Sequence, residues 1–228
     1  MQGLMEKIEE GGFIWRVPVG KVPKYHARLT SGNCSDAFVN ISRLSEEPRL
    51  LAEVCEELVG RLGWNNKTVD RVLGPAVGAI TIAHEVAKRI NRKTGYFEKD
   101  ETKLVLSRFG VGRHERAGLV DDVFTSGSSL SKMVAELYNL RHSLEGGNPL
   151  DGVDHNFGVI INRSGQESIE LAFPHGSEVF KIVSVLDVVA SAFYPEECPY
   201  CRLGSEPMKP KANWDLFLNG NPVIGDLP

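Results

Sequence analysis

Residues 118–130 read GLVDDVFTSGSSL. An apolar run that predicts a buried strand as far as Val123 takes in two adjacent carboxylates, Asp121 and Asp122. It then passes directly into a loop of small hydroxyl residues, and helical spacing follows from about Ser128 to Leu140. In open α/β sheets, ligands bind beyond the carboxyl ends of the strands, where the next loop leads into a helix N-terminus. Thr125, Ser126, Gly127, Ser128 and Ser129 offer backbone N–H groups, hydroxyls and a glycine that permits close approach, a set that suits a phosphate. Asp121 and Asp122 would repel that phosphate. They suit the other end of a ligand, either hydroxyls that need acceptors or a hydrated Mg²⁺ held through one or two carboxylates.

Outward from this stretch the chain alternates strand and helix. Residues 45–62 (SEEPRLLAEVCEELVGRL) place apolar side chains at helical spacing and are followed by Gly63, which predicts an amphipathic helix. Val69–Leu73 is a short buried strand, Gly74-Pro75 a turn, and Gly78–Ile90 a second helix. Strands are expected at Gly95–Phe97 and Lys103–Leu106, with the charged FEKDETK segment between them as a hairpin or mobile loop. His142–Asn156 is expected as a long polar loop, and Phe157–Ile161 and Val179–Val185 as further strands. Continuous Val/Ile/Leu strand cores alternating with helices imply an α/β fold: a mostly parallel, Rossmann-like sheet flanked by helices on both faces. The Pro- and Gly-rich segment after Ser191 is expected to pack irregularly.

Composition narrows the classes. The 228 residues carry 26 Lys+Arg against 30 Asp+Glu, a net charge of −4, which argues against a nucleic-acid binder driven by bulk charge. With 42% hydrophobic and 25% charged residues the chain has an ordinary globular balance. No apolar window approaches the roughly 18 residues of a membrane span, and the opening MQGLMEKIEE is too acidic for a signal peptide, so a cytoplasmic protein is expected. Cys34, Cys55, Cys198 and Cys201 are too scattered for a disulfide framework. Cys198 and Cys201 form a CxxC, but no second pair lies at zinc-site spacing, so structural thiols are expected. No histidine has the spacing of a metal or triad residue.

A phosphate at one end and a diol at the other describe a ribose 5-phosphate unit. The Walker and dinucleotide-binding glycine patterns are absent. Residues 117–129 resemble instead the phosphoribosyl-pyrophosphate motif of the type I phosphoribosyltransferases, with Gly118 in place of an aliphatic residue and a bulkier Phe124. Further segments resemble the orotate branch of that family in order along the chain. They are HARLTSGNCSDAFVN (26–40) on the orotate side, VLGPAVGAITIAHEVAKRI (72–90) at the pyrophosphate loop, IINRSG (160–165), and the tail CPYCRLGSEPMKP (198–210).

The resemblance implies a type I phosphoribosyltransferase fold with a small N-terminal hood over residues 1–44, a core over 45–190 and an extension over 191–228. It implies Mg²⁺-dependent transfer of ribose 5-phosphate from phosphoribosyl pyrophosphate to orotate, giving orotidine 5′-phosphate and pyrophosphate, in a homodimer whose mobile loop crosses to the neighbouring site. Donor contacts fall on Asp121, Asp122, Thr125–Ser129 and the Ala76-Val77-Gly78 loop, with the metal held by Asp121 and Asp122 through water. Orotate contacts fall on Thr30, Ser31, Gly32, Thr125 and Arg163. Arg163 at a strand end can grip a planar carboxylate bidentately, whereas Thr30–Gly32 reads equally well as a plain hairpin turn.

Negative charge builds on the departing pyrophosphate, and Lys99 and Lys103, with Arg108 just beyond, are the candidate cations beside the two acids as catalytic residues. Compared with many family members the loop is short, the pyrophosphate loop lacks its usual Lys, and Asn33 and Cys34 replace frequent basic residues. Two other functions fit the donor motif: transfer to a purine or uracil, and a non-catalytic phosphoribosyl-pyrophosphate-binding regulator. The second would need a basic face or helix-turn-helix, and neither is evident.

Overall fold

A computed structural model describes residues 2–142, 148–174 and 176–227. The chain opens with α1 (Gln2–Glu10), β1 (Ile14–Arg16), β2 (Lys21–Pro23), β3 (Tyr25–Arg28), β4 (Cys34–Ser35) and β5 (Ala37–Val39). A 3₁₀ turn over Ile41–Glu46 leads to α2 (Pro48–Leu62), β6 (Arg71–Pro75), α3 (Ile80–Arg89), β7 (Lys93–Asp100), β8 (Lys103–Val105) and β9 (Ala117–Phe124). Then come α4 (Ser128–His142), β10 (Val153–Asn162), β11 (Ser168–Phe173) and β12 (Gly176–Asp187), followed by β13 (Ala192–Phe193), α5 (Pro199–Arg202), β14 (Glu206–Met208), α6 (Trp214–Asn219) and β15 (Val223–Asp226). These elements fall into two compact units, Leu44–Val188 and a second made of the residues up to Arg43 together with those from Val189.

The larger unit is a seven-stranded sheet in the order β11-β12-β10-β9-β6-β7-β8. The five central strands run parallel, while the edge strands β11 and β8 pair antiparallel with their neighbours. Strand alternation shows how both faces are covered. On β9 and β10, Leu119, Phe157 and Val159 join Leu130, Met133, Val134 and Leu137 of α4 in one core cluster. Gly118, Val120 and Gly158 point the other way. A Cβ on Gly158 would meet Leu62 and Leu58 of α2, and one on Gly118 would lie 2.5 Å from the indole of Trp64. Gly118 is therefore explained by packing, because the strand gives up a side chain where the Trp64 ring lies flat against it. The bulky Phe124 is likewise accommodated, stacking edge-on against Phe157 at 6.1 Å.

Several boundaries differ from the sequence reading. The helix expected from Ser45 starts at Pro48, which occupies the first turn with its missing N–H, and ends as expected at a left-handed Gly63 (φ 66°). Gly74 and Pro75 are strand rather than turn, pairing with Tyr96 and Phe97. Gly74 has no side chain where Ala79 of the returning chain approaches to 2.9 Å of a would-be Cβ, so the strand continues to the point of reversal. Of the expected 142–156 loop, Val153–Asn156 belongs to β10 and residues 143–147 lie outside the described residues. β11 was not expected: it is a largely exposed edge strand without a continuous apolar run.

In the smaller unit β3 and β4 form a hairpin at the centre of a four-stranded sheet, β13-β4-β3-β14. A core of Trp15, Ala27, Trp214 and Phe217 fills it, with Trp15 and Phe217 edge-to-face at 4.7 Å. The segment after Ser191, expected to be irregular, carries β13, β14 and β15, which pair with β4, β3 and β2. The expectation that the CxxC stands without further ligands is also corrected. The hairpin brings His26 and Cys34 to Cys198 and Cys201, with all four ligand atoms within 4.8 Å of one another. Among the described residues no helix is long and apolar enough to cross a membrane.

Candidate active site

The acid pair sits in the last residues of β9, at the carboxyl edge of the parallel sheet. Strand alternation starts the two side chains toward opposite faces, while their carboxyl groups stay in contact with each other. Asp121 points to the α4 face, buried with 4% exposure, and hydrogen-bonds with Ser129 on the first turn of α4. Asp122 points to the opposite face, where its Oδ2 would lie 2.6 Å from a Cβ on Gly78. Each carboxylate also accepts the next backbone N–H: Asp122 N donates to Asp121 Oδ1 at 2.8 Å and Val123 N to Asp122 Oδ1 at 2.7 Å. Burial, and next the negative charge of Asp122, hold the Asp121 carboxyl well above the usual carboxylate range. Among the described residues neither carboxylate forms a salt bridge.

The loop after β9 is as expected from its residues. Thr125 and Ser126 are exposed, and Gly127 takes a left-handed φ of 77° that opens the turn into α4. Its carbonyl accepts both Ser131 N and Ser131 Oγ at 2.9 Å, starting the helix. The N–H groups ahead of Ser131 precede the helical bonding pattern and face the positive end of a 15-residue helix. A pocket of about 40 Å³ opens here between Asp121, Thr125, Gly127, Ser128 and Ser129, space for about one water and thus an anchor point rather than a full ligand cavity. A larger cleft of about 730 Å³ lies at the amino ends of β6 and β7. There Arg71 and Lys93 both pair with Glu115, at 3.2 and 3.4 Å.

Across from the acid pair, Ala76, Val77 and Gly78 connect β6 to α3, with Val77 85% exposed and a cis peptide between Ala76 and Val77. Arg163 follows the end of β10, and its backbone N–H donates to Phe124 O at 2.8 Å, tying it to the base of the Thr125 loop. Asn162, which the sequence reading passed over, is 6% exposed and holds this turn. Its Oδ1 accepts Ser164 N and Oγ at 3.0 and 2.8 Å, and its Nδ2 donates to Gln166 O at 2.9 Å. An Asn two residues before a Ser is a turn signal that could have found it.

The basic candidates are dispersed. FEKDETK is a tight β7–β8 hairpin in which Asp100 pairs with Lys103 and Lys99 with Leu104. Lys99 and Lys103 are both exposed and, by strand alternation, emerge on opposite faces of the hairpin. Arg108 is held by Glu98 at 2.9 Å, and the Ser107 hydroxyl, then Arg108, keep the Glu98 carboxyl below its usual range. In the smaller unit Thr30, Ser31 and Gly32 are the β3–β4 turn. Gly32 has a φ of 91°, its N–H donates to Leu29 O at 3.0 Å, and Thr30 and Ser31 are exposed.

Comparison with known proteins decides the family. The orotate phosphoribosyltransferase of Thermoanaerobacter sp. (strain X514) is 32% identical over 194 residues, covering 84% of this chain and 91% of that protein. The chain belongs to the orotate phosphoribosyltransferase family. The orotate phosphoribosyltransferase of Desulforamulus reducens is 28% identical over 187 residues, or 81% of this chain and 87% of that one. No family model matches the chain. Among solved structures, orotate phosphoribosyltransferase from Aeropyrum pernix aligns with a TM-score of 0.54 at 20% identity, over 81% of this chain and 93% of that one. Adenine phosphoribosyltransferase from Rhodothermus marinus aligns with a TM-score of 0.51 at 15% identity, over 82% of this chain and all (100%) of that one. At such identities the structures speak for a shared type I phosphoribosyltransferase fold. Orotate phosphoribosyltransferase membership itself rests on the sequence relatives.

Proposed function

We propose that the protein is an orotate phosphoribosyltransferase in activity as well as in family, a pentosyltransferase that moves ribose 5-phosphate from phosphoribosyl pyrophosphate to N1 of orotate. The observation that carries this reading is the carboxyl edge of β9, where an acid pair, a hydroxyl-rich loop and the N-terminus of α4 adjoin the strand-end Arg163. The 5′-phosphate is assigned to Thr125–Ser129, the ribose hydroxyls to Asp121 and Asp122, and the pyrophosphate to Ala76–Gly78. Arg163 and Thr125 are assigned to the orotate carboxylate and ring.

In the reaction the C1–O bond to pyrophosphate breaks as orotate N1 bonds to C1, through an oxocarbenium-like state, and the N1 proton is released to solvent. The enzyme's part is to orient the two reactants and to meet charge. Asp121 and Asp122 accept from the ribose hydroxyls, and the α4 N-terminus holds the phosphate end. Lys99 or Lys103 meets the departing pyrophosphate when the hairpin closes. Since they face opposite sides of the hairpin, one of the two serves a given site. In the homodimer we propose, that site belongs to the neighbouring subunit.

Mg²⁺ fits this site. Two carboxylates that form no salt bridge among the described residues, with Gly78 leaving open the space in front of Asp122 Oδ2, are a donor set for a hard cation bound through water. Bound there, it would neutralise phosphate oxygens. The free cysteines suit the reducing cytoplasm in which we place the enzyme.

The test is direct. With Mg²⁺ and phosphoribosyl pyrophosphate the purified protein is expected to deplete orotate absorbance; turnover of hypoxanthine or uracil instead of orotate would overturn the acceptor. Of Lys99→Ala and Lys103→Ala, one is expected to lower kcat by roughly 10²-fold or more, the usual cost of losing one transition-state charge contact. Full activity in both would remove the hairpin from catalysis. Gly78→Ala is expected to press a Cβ against Asp122, at a cost of about 1–3 kcal/mol shared between thermal stability and donor affinity. Unchanged affinity in a calorimetric titration with phosphoribosyl pyrophosphate would separate this loop from the donor.

A further inference from the structure

The smaller unit holds four metal-type ligands that the transfer reaction does not use. His26 lies on β3, Cys34 on β4, and Cys198 and Cys201 flank and enter the short α5. His26, Cys34 and Cys198 are fully buried. Cys34 Sγ is 3.8 Å from Cys201 Sγ, and His26 Nε2 is 3.5 Å from both Cys198 Sγ and Cys201 Sγ.

These three separations match edges of a small tetrahedron, and all four ligand atoms lie within 4.8 Å of one another. Around zinc, with Zn–S of about 2.3 Å and Zn–N of about 2.0–2.1 Å, ideal tetrahedral angles place two sulfurs about 3.8 Å apart and a sulfur and a nitrogen about 3.5 Å apart. A disulfide would need sulfurs at about 2.05 Å. The thiols are free.

The surroundings orient the ligands as a metal site requires. The Ser205 hydroxyl lies 2.9 Å from His26 Nδ1 and also donates to the Lys24 carbonyl at 3.4 Å. With its proton committed to that carbonyl, the Ser205 oxygen accepts from Nδ1–H. The Nε2 lone pair is then left directed at the sulfurs, the outer-shell arrangement typical of a metal-bound histidine. The Cys198–Cys201 turn is closed by Arg202 N donating to Cys198 O at 3.2 Å and Gly204 N donating to Cys201 O at 3.1 Å, with Gly204 at a left-handed φ of 83°.

We propose that His26, Cys34, Cys198 and Cys201 bind a structural Zn²⁺ ion that fastens the β3–β4 hairpin to the segment around α5. Three thiolates and an imidazole in a closed four-ligand set select a borderline-soft d¹⁰ dication over Mg²⁺, and leave no position open for catalysis. Binding releases the thiol protons to solvent and forms three Zn–S bonds and one Zn–N bond, with no change of oxidation state. Because the ligands come from both ends of the chain, the ion closes a very long loop, and its binding energy becomes folding energy of this unit.

Elemental analysis of the protein purified without chelator is expected to find about one zinc per chain. Exchange with Co²⁺ is expected to give the d–d and thiolate charge-transfer absorption of a tetrahedral, sulfur-rich site. Cys34→Ser and Cys201→Ser are expected to lose the metal, while Cys55→Ser, on α2 and outside the cluster, retains it. Should the cluster variants fail to fold, the wild-type cobalt spectrum and the zinc released on titrating its thiols with a mercurial decide the matter. Absent zinc together with no cobalt charge transfer, metal retained in Cys34→Ser, or a Cys34–Cys201 disulfide in non-reduced peptide maps would each overturn the proposal. None of these readouts depends on transferase activity.

Discussion

Asp121→Asn is expected to raise the melting temperature while weakening phosphoribosyl pyrophosphate binding by roughly 10- to 150-fold, the factor that corresponds to losing a charged hydrogen-bond contact worth about 1.5–3 kcal/mol. The carboxyl is 4% exposed, and its recorded partners are a backbone N–H, the neighbouring carboxylate and a serine hydroxyl. A carboxylate held there without a cation costs stability, which is why burial raises its pKa. The amide keeps the shape and can still accept from Asp122 N, so the cost is removed with little disturbance of β9.

The sign follows from linkage. The folded pKa of Asp121 lies above its unfolded value, so the folded state binds the proton more tightly. Stability contributed by this group is present below the unfolded carboxylate pKa and is lost as pH rises through the folded one. The gain from Asp121→Asn should therefore be largest at neutral pH and vanish toward acid pH. Thermal melts of both proteins across that range, paired with calorimetric titration of the donor, measure it. A variant that is less stable at pH 7, or that binds the donor as well as the wild type, would show that Asp121 is a structural acid rather than a ligand. An acid kept at a stability cost is the expected mark of a functional site.

Arg163→Ala is expected to lower kcat/KM for orotate by about 30-fold or more while leaving donor affinity near wild type. The lower bound is that of truncating one member of a buried charge pair, about 2 kcal/mol and upward. Alanine preserves the backbone link from Arg163 to the base of the Thr125 loop, N–H to Phe124 O at 2.8 Å, so the effect should fall mainly on the acceptor. Lysine at this position should recover little, since a single ammonium cannot reproduce the two parallel bonds of a guanidinium to a carboxylate. Steady-state kinetics with orotate varied at saturating donor, together with a donor titration, separate the effects. An unchanged orotate KM in both variants would move the carboxylate contact to another residue.

What the sequence by itself determined is what is local along the chain. The acid pair, the glycine-containing loop and the start of α4 occupy 13 consecutive residues, 117–129, and strand and helix periods differ enough to be read directly. The same holds for α2 with its Gly63 cap and for the β7–β8 hairpin. Tertiary structure decided what depends on partners far away in the sequence. Asp121 and Asp122 stay in contact, but pleating also turns one toward Ser129 and the other toward Gly78, and only the placement of α3 and α4 says what else each meets. Gly118 is a glycine because Trp64 lies over it, and β11 is a strand because β12 offers it an edge, facts without a local signature. The clearest case is the His26, Cys34, Cys198 and Cys201 cluster, in which Cys34 and Cys201 are 167 residues apart. Ligand spacing along the chain identifies a site built from one or two turns. A site assembled by pairing β3 with β4 and β14 depends on strand register, which nonlocal packing sets and short-range propensity does not encode.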